Sequence, residues 1–167
     1  MSLDLKHIII CSALLFSMAT ANASTISIGD LTSYGVDGYS ALPSKGTGSF
    51  SDVYNFTVPS LSGVGAAVTN LSHGSLWNIQ DLSLTLKNSS NVVLATGTFS
   101  DGSYSLSQTL AQGGYSFTVA GIGSGSFGGK YAINAIAAPV PEPSAWAMML
   151  GGLGLVGFMA YRRRHEF

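Results

Sequence analysis

Residues 50–58 (FSDVYNFTV) alternate in a way that predicts a β-strand buried on one face. A period of two places five side chains on the buried face: Phe50, Asp52, Tyr54, Phe56 and Val58. Asp52 thus falls among core aromatic residues, where an unpaired carboxylate costs several kcal/mol. We expect Asp52 to be hydrogen-bonded to backbone N–H groups or tyrosine hydroxyls, to bind a cation, or to turn outward at a bulge.

The same alternation recurs along the chain, at residues 82–87, 115–119 and 131–135. Turn-forming sequences separate these segments, such as the glycine pair at 113–114. No stretch between residues 24 and 138 shows a convincing helical period. The sequence predicts an all-β fold, a single antiparallel β-sandwich or jelly roll with about seven or eight short strands.

Few residues are charged in this 167-residue chain, only 9%, and the formal net charge is -1. Nucleic-acid binding is excluded as a function because it requires clustered Lys and Arg on a folded face. The only cysteine, Cys11, lies in a segment that we expect to be removed. The exported part therefore has no thiol for a disulfide, a zinc site or a nucleophile.

Catalytic residue types are scarce between residues 24 and 140, which contain five Asp, three Lys and one His but no Glu, Arg or Cys. A serine triad would need His73 as its base, and neither G-x-S-x-G nor S-x-x-K is present. Paired carboxylates would have to come from distant strands. We expect no enzymatic activity.

Residues 123–128 (GSGSFG) formally match the G-x-G-x-x-G pattern of dinucleotide-binding proteins. That function requires the turn to open a helix whose N-terminus meets the pyrophosphate. Residues 129–133 instead predict another strand. We interpret the segment as a hairpin connection and expect no cofactor.

Two binding hypotheses stay open. Asp52 is a weak calcium candidate, with Asp30 and Asp37 from the preceding loop, since calcium binds carboxylate and carbonyl oxygens. A sugar-binding site would need a solvent-facing aromatic beside a carboxylate, and Trp77 with Asp81 is the best pair. A core role for Trp77 is the alternative.

The N-terminal residues 1–23 resemble a secretory signal peptide in organisation. A short polar start precedes the apolar run 8–16, and Ala21 and Ala23 form a small-residue cleavage site. A buried N-terminal helix would show a polar face, which this run lacks. We therefore predict export through the secretion machinery.

An uncharged run of 18 residues, 144–161, lies near the C-terminus and would form a helix about 27 Å long. Trp146 and Tyr161 stand at its ends, where amphipathic rings favour the membrane interface. Three arginines follow at once: Arg162, Arg163 and Arg164. The pattern predicts a transmembrane helix with the basic tail, residues 162–167, in the cytoplasm and the bulk of the chain outside.

The C-terminal segment, residues 139–167, resembles the PEP-CTERM sorting signal of Gram-negative bacteria. The resemblance rests on Pro141, Glu142 and Pro143, followed by the apolar run and the arginines. It implies that an exosortase, an integral-membrane cysteine transpeptidase, recognises Pro-Glu-Pro and removes the hydrophobic tail. The protein would then pass from the inner membrane to the outer surface or extracellular matrix. Family members usually come from species that make exopolysaccharide.

The predicted domain, residues 24–138, is similar to the FxDxF subfamily of these proteins at Phe50, Asp52 and Tyr54, with Tyr in place of the final Phe. Residues 110–119 and 129–131 further resemble bacterial prepeptidase C-terminal sandwich domains. Neither resemblance supplies a catalytic residue. We therefore expect a surface or matrix protein associated with exopolysaccharide or biofilm, with a sugar- or calcium-binding module or a permanently anchored protein as alternatives.

Overall fold

The computed structural model describes residues 22–140 and 143–163. Within these residues the chain forms ten β-strands, one 3-10 helix and one α-helix. The strands are β1 (Asn22–Asp30), β2 (Tyr39–Ala41), β3 (Ser44–Lys45), β4 (Gly48–Val58), β5 (Ser62–Asn70), β6 (Ile79–Asn88), β7 (Val93–Phe99), β8 (Ser103–Leu110), β9 (Gly113–Gly123) and β10 (Gly129–Pro139). The 3-10 helix is Leu31–Tyr34, and the α-helix α1 is Pro143–Arg163.

The strands form two sheets whose buried faces enclose one core. The first sheet has the order β1-β4-β9-β6-β7, and the second has the order β2-β10-β5-β8, with β3 also paired to β10. This architecture confirms the predicted all-β sandwich. The pairing differs from the prediction at β1, which runs parallel to β4. A parallel pair requires a crossover, and residues 31–47 supply it by adding β2 and β3 to the second sheet.

Buried and more exposed residues alternate along the strands as the sequence predicts. All five side chains assigned to the inner face of β4 are buried, including Asp52. The inner residues of β6 are Leu82, Leu84 and Leu86, and each is fully buried. The same period of two thus organises both strands.

The first strand overlaps the predicted cleavage site. Strand β1 begins at Asn22, so Ala23 is already paired with Ser51 of β4, while Ala21 lies outside the described residues. Asn22 and Ala23 are both exposed, and cleavage after Ala23 would leave the pairs from Ser24 onward intact.

Helix α1 covers the segment that was predicted to cross a membrane. The prediction was a transmembrane helix over residues 144–161; among the described residues, no helix is long and apolar enough to cross a membrane. Four glycines add no apolar side chain to this segment: Gly151, Gly152, Gly154 and Gly157. Arg162 and Arg163 lie in α1; Pro141, Glu142 and Arg164 lie outside the described residues.

Candidate functional site

The buried carboxylate of Asp52 lies at the centre of a polar cluster between the two sheets. Its Oδ1 accepts a hydrogen bond of 2.6 Å from Lys45 Nζ, and its Oδ2 accepts one from the hydroxyl of Tyr131. The hydroxyl oxygens of Tyr131 and Tyr54 are 2.8 Å apart. Since Tyr131 donates to Asp52, it accepts from Tyr54. We call these four residues the polar cluster.

The polar cluster joins elements of different sheets. Asp52 and Tyr54 project from β4, Tyr131 from β10 of the second sheet, and Lys45 from β3, which pairs with β10. The ring of Phe50 stacks on that of Tyr131 with centroids 5.6 Å apart. The side chains of the F-x-D-x-Y pattern at residues 50–54 therefore link the two sheets of the sandwich.

Both tyrosines of the polar cluster are held in their protonated form. Burial, which outweighs the opposing effect of the Tyr131 hydrogen bond, raises the pKa of Tyr54 to about 12. Burial, together with the hydrogen bonds to Asp52 and Tyr54, raises the pKa of Tyr131 well above its ordinary range. The Tyr131 hydroxyl can therefore donate to the carboxylate of Asp52, and the Tyr54 hydroxyl can donate to that of Tyr131.

These raised pKa values predict a loss of stability in alkali. Unfolded tyrosines ionise near pH 10, whereas the folded tyrosines of the polar cluster stay protonated. The unfolded state then binds fewer protons, so each tyrosine lowers the free energy of unfolding by about 1.4 kcal/mol per pH unit above its unfolded pKa, until its folded pKa is reached. Urea unfolding measured between about pH 8 and pH 11 tests this. A flat profile, or one that Tyr54→Phe does not make shallower, would contradict it.

The calcium hypothesis for Asp52 is not supported, because the ammonium of Lys45 occupies the place that a cation would need. The predicted co-ligand Asp30 instead caps the 3-10 helix, accepting a 2.9 Å hydrogen bond from the backbone N–H of Thr32. Within residues 22–140 and 143–163, no three His, Cys, Asp or Glu side chains are arranged to hold a metal ion. Of the expected partners for Asp52, the tyrosine hydroxyl is confirmed, and Lys45 was missed.

The outer face of the first sheet carries hydroxyl groups in register. One row across the five strands reads Thr25, Val53, Thr118, Thr85 and Thr96. The hydroxyls of Thr85 and Thr96 are 2.8 Å apart. The neighbouring row on one side passes through Ser83 of β6, and the row on the other side passes through Lys87. Lys87 is the only charged residue in these three rows. We call these three rows the hydroxyl face.

Two connections are bonded together at one end of the sandwich. These are residues 71–78, between β5 and β6, and residues 124–128, between β9 and β10. Phe127 N donates to Leu76 O at 2.9 Å, and Asn78 N donates to Gly128 O at 3.0 Å. The G-x-G-x-x-G segment thus leads from β9 of the first sheet to β10 of the second. The strand predicted after it is confirmed, but the hairpin interpretation is wrong, because β9 and β10 do not pair with each other.

Trp77 lies half-buried in this pair of connections. Lys130 Nζ is 4.2 Å from the centroid of its ring, and the Phe127 ring is 5.8 Å from it. Asp81, the partner predicted for Trp77, is exposed at an irregularity of β6 with a positive φ of 52°. Sequence reasoning missed Phe127, whose signal is an aromatic residue beside glycine in a turn.

A polar groove of about 320 Å³ adjoins these connections. Its lining is rich in amides, hydroxyls and carboxylates: Asn78, Ile79, Gln80, Asp81, Ser100 and Asp101. The amide of Asn70, which is 6% exposed, donates hydrogen bonds of 2.8 Å to the carbonyls of Ile79 and Ser100. One buried side chain therefore fixes the spacing of both walls.

Comparison with known proteins identifies the C-terminal segment. Residues 139–164 match the PEP-CTERM protein-sorting motif. This motif implies export, membrane anchoring before processing, and processing by an exosortase, a membrane enzyme. The described chain is thus a β-sandwich followed by a sorting motif. A comparison with curated proteins found no match.

Three solved structures are similar to this chain. The pre-peptidase C-terminal domain of collagenase from Bacillus anthracis is 19% identical (66% of this chain, 93% of that chain, TM-score 0.49). Aeromonas hydrophila PliG, a periplasmic inhibitor of g-type lysozyme, is 15% identical (70% and 99%, TM-score 0.37). A family 35 carbohydrate binding module from an environmental isolate is 12% identical (60% and 83%, TM-score 0.36). Likeness at this level carries no information on ligand or activity.

Proposed function

We propose that this chain is an exported surface or extracellular-matrix protein that an exosortase processes and that associates with exopolysaccharide. The observation that carries the proposal is the match to the sorting motif over residues 139–164. The motif starts where the last strand of the sandwich ends, at Pro139. Removal of the helix beyond Pro143 would therefore leave both sheets complete.

The sandwich serves a non-catalytic role in this proposal. Its buried carboxylate is engaged by Lys45 and Tyr131, and Asp30 caps a helix. His73 is exposed, and its backbone N donates to Trp77 O at 2.8 Å. Within residues 22–140 and 143–163, these roles do not bring a nucleophile, a base and an orienting acid together, which supports a binding or structural protein over a hydrolase.

The hydroxyl face supports the association with exopolysaccharide. Hydroxyl groups donate and accept hydrogen bonds, as the hydroxyls of a polysaccharide do. A surface with Lys87 as the single charge in three rows also avoids the desolvation of many ions on contact. The same features suit a matrix protein at the outer surface, in or around a biofilm.

The sorting step is tested by Glu142→Ala in the native host. We expect the wild-type chain to lose both terminal segments and appear outside the cell, since Pro-Glu-Pro is the recognition element that the resemblance implies. The variant should keep its C-terminal tail and stay with the inner membrane. Intact mass and cell fractionation measure both.

The matched control is Glu166→Ala, which changes the only other glutamate of the chain and lies beyond the matched residues. Processing of this variant should equal that of the wild type. A wild-type chain that keeps its tail in the inner membrane would contradict the proposal and favour the permanently anchored alternative.

A further inference from the structure

One end of the sandwich combines exposed aromatic rings with a polar groove. We call it the loop end, and it comprises residues 71–78, 100–102 and 124–128. Phe127 is 62% exposed, which makes it the most exposed aromatic side chain of residues 22–140. One exposed ring alone is normal for a protein surface, but here the Trp77 ring and a polar groove lie beside it, which together form a candidate contact surface.

The aromatic part of the loop end is held in place before any ligand arrives. The backbone of Phe127 is tied to Leu76 by a 2.9 Å hydrogen bond, and that of Ser126 to Ser75 by another of 2.9 Å. A Cβ on Gly125 would lie 2.5 Å from the carbonyl oxygen of Leu76, so only glycine allows this approach. Binding to such a preformed surface loses little conformational entropy.

The ammonium of Lys130 fixes the second ring. It lies 4.2 Å from the centroid of Trp77 and forms no ion pair with a described residue. This cation–π contact holds the indole in one orientation beside Phe127. Lys130 also keeps donors for a ligand oxygen, because a ring engages only the charge and not the three N–H groups.

The polar groove continues directly from the rings through Asn78. That residue follows Trp77 in sequence and also lines the groove. Asp81 and Asp101 are exposed in the same groove, and Asn70 holds its two walls at a fixed distance. Aromatic faces and carboxylate acceptors therefore meet at one end of the domain.

We propose that the loop end binds a neutral polysaccharide. A pyranose ring has an apolar C–H face that stacks on aromatic rings, here Phe127 and Trp77, and hydroxyls at its edge that donate to carboxylates, here Asp81 and Asp101. The carboxylates of Asp81 and Asp101 repel an acidic glycan. The inference rests on the proposed function only in placing the domain where polysaccharide is present.

The test uses the full chain in detergent micelles with Trp146→Phe as the background, so that Trp77 is the only indole. The probes are three neutral polysaccharides, namely a β-glucan, a mannan and a galactan, and the acidic polymer alginate. Affinity electrophoresis and the fluorescence of Trp77 report binding. We expect saturable binding of a neutral probe, and Phe127→Ala should weaken it at least about tenfold because it removes the exposed anchor. Asp101→Asn should also weaken it.

Val92→Ala is the matched control, because Val92 is 55% exposed in the turn at the opposite end of β6. It should bind as the wild type does. Binding that neither Phe127→Ala nor Asp101→Asn changes would place the contact elsewhere, such as on the hydroxyl face, and overturn the inference. Binding of alginate alone, or of no probe, would also overturn it. The Glu142→Ala experiment is unaffected by these outcomes, so each proposal fails separately.

Discussion

Replacing Asp52 with alanine is expected to lower the free energy of unfolding by about 3–5 kcal/mol. The substitution leaves the ammonium of Lys45 without its partner and the hydroxyl of Tyr131 without its acceptor inside the core. An uncompensated charge at such a place costs far more than the original pair contributed. Urea unfolding followed by circular dichroism measures the change.

Two further variants test whether the loss of stability comes from breaking the buried charge pair and not from losing a carboxylate as such. Asp101→Ala removes an exposed carboxylate and should alter stability by less than about 0.5 kcal/mol. Lys45→Met combined with Asp52→Leu removes both charges, so it should be less destabilising than Asp52→Ala alone. If Asp52→Ala and Asp101→Ala changed the free energy of unfolding equally, the polar cluster would not stabilise the packing of the two sheets.

Gly128→Ala is expected to lower the free energy of unfolding by about 2–5 kcal/mol, the sum of a left-handed backbone and a steric clash. Its φ is +90°, and a Cβ there would overlap the carbonyl oxygen of Lys45 and the backbone of Gly46. These atoms are backbone and cannot rotate away. Thermal unfolding measures the loss.

The matched control is Gly114→Ala, where no atom lies within 4 Å of the added Cβ and φ is not positive. This change should leave stability within about 0.5 kcal/mol of the wild type. Because Gly128 packs on Lys45, its alanine variant should also weaken polysaccharide binding at the loop end. Equal stability of the two variants would contradict the role assigned to Gly128.

The alternation of apolar and polar residues over short stretches explains which features the sequence predicts well. The buried face of residues 50–58 follows from alternation alone, because side-chain direction in a strand depends only on neighbouring residues. The strand after residues 123–128 was predictable for the same reason, whereas the passage of the chain from one sheet to the other at this segment was not. The PEP-CTERM motif is also local, and comparison confirms it over residues 139–164.

Contacts between distant residues explain what was missed. Asp52 was predicted to need a partner, but Tyr131 is 79 residues away in sequence. Trp77 was paired with Asp81, its neighbour in the chain, whereas its ring contacts come from Phe127 and Lys130. The parallel pairing of β1 also depends on a crossover, which no local pattern reveals.

The position of β10 in the second sheet has a consequence for the order of events during export. β10 is the last of the described strands, yet it pairs with β2, β3 and β5 and contributes Tyr131 to the polar cluster. A chain that is exported from its N-terminus therefore cannot close the sandwich until residue 139 has crossed the membrane. Folding would then coincide with the arrival of the sorting motif at the membrane, and only a chain translocated through residue 139 would be both folded and available to the exosortase.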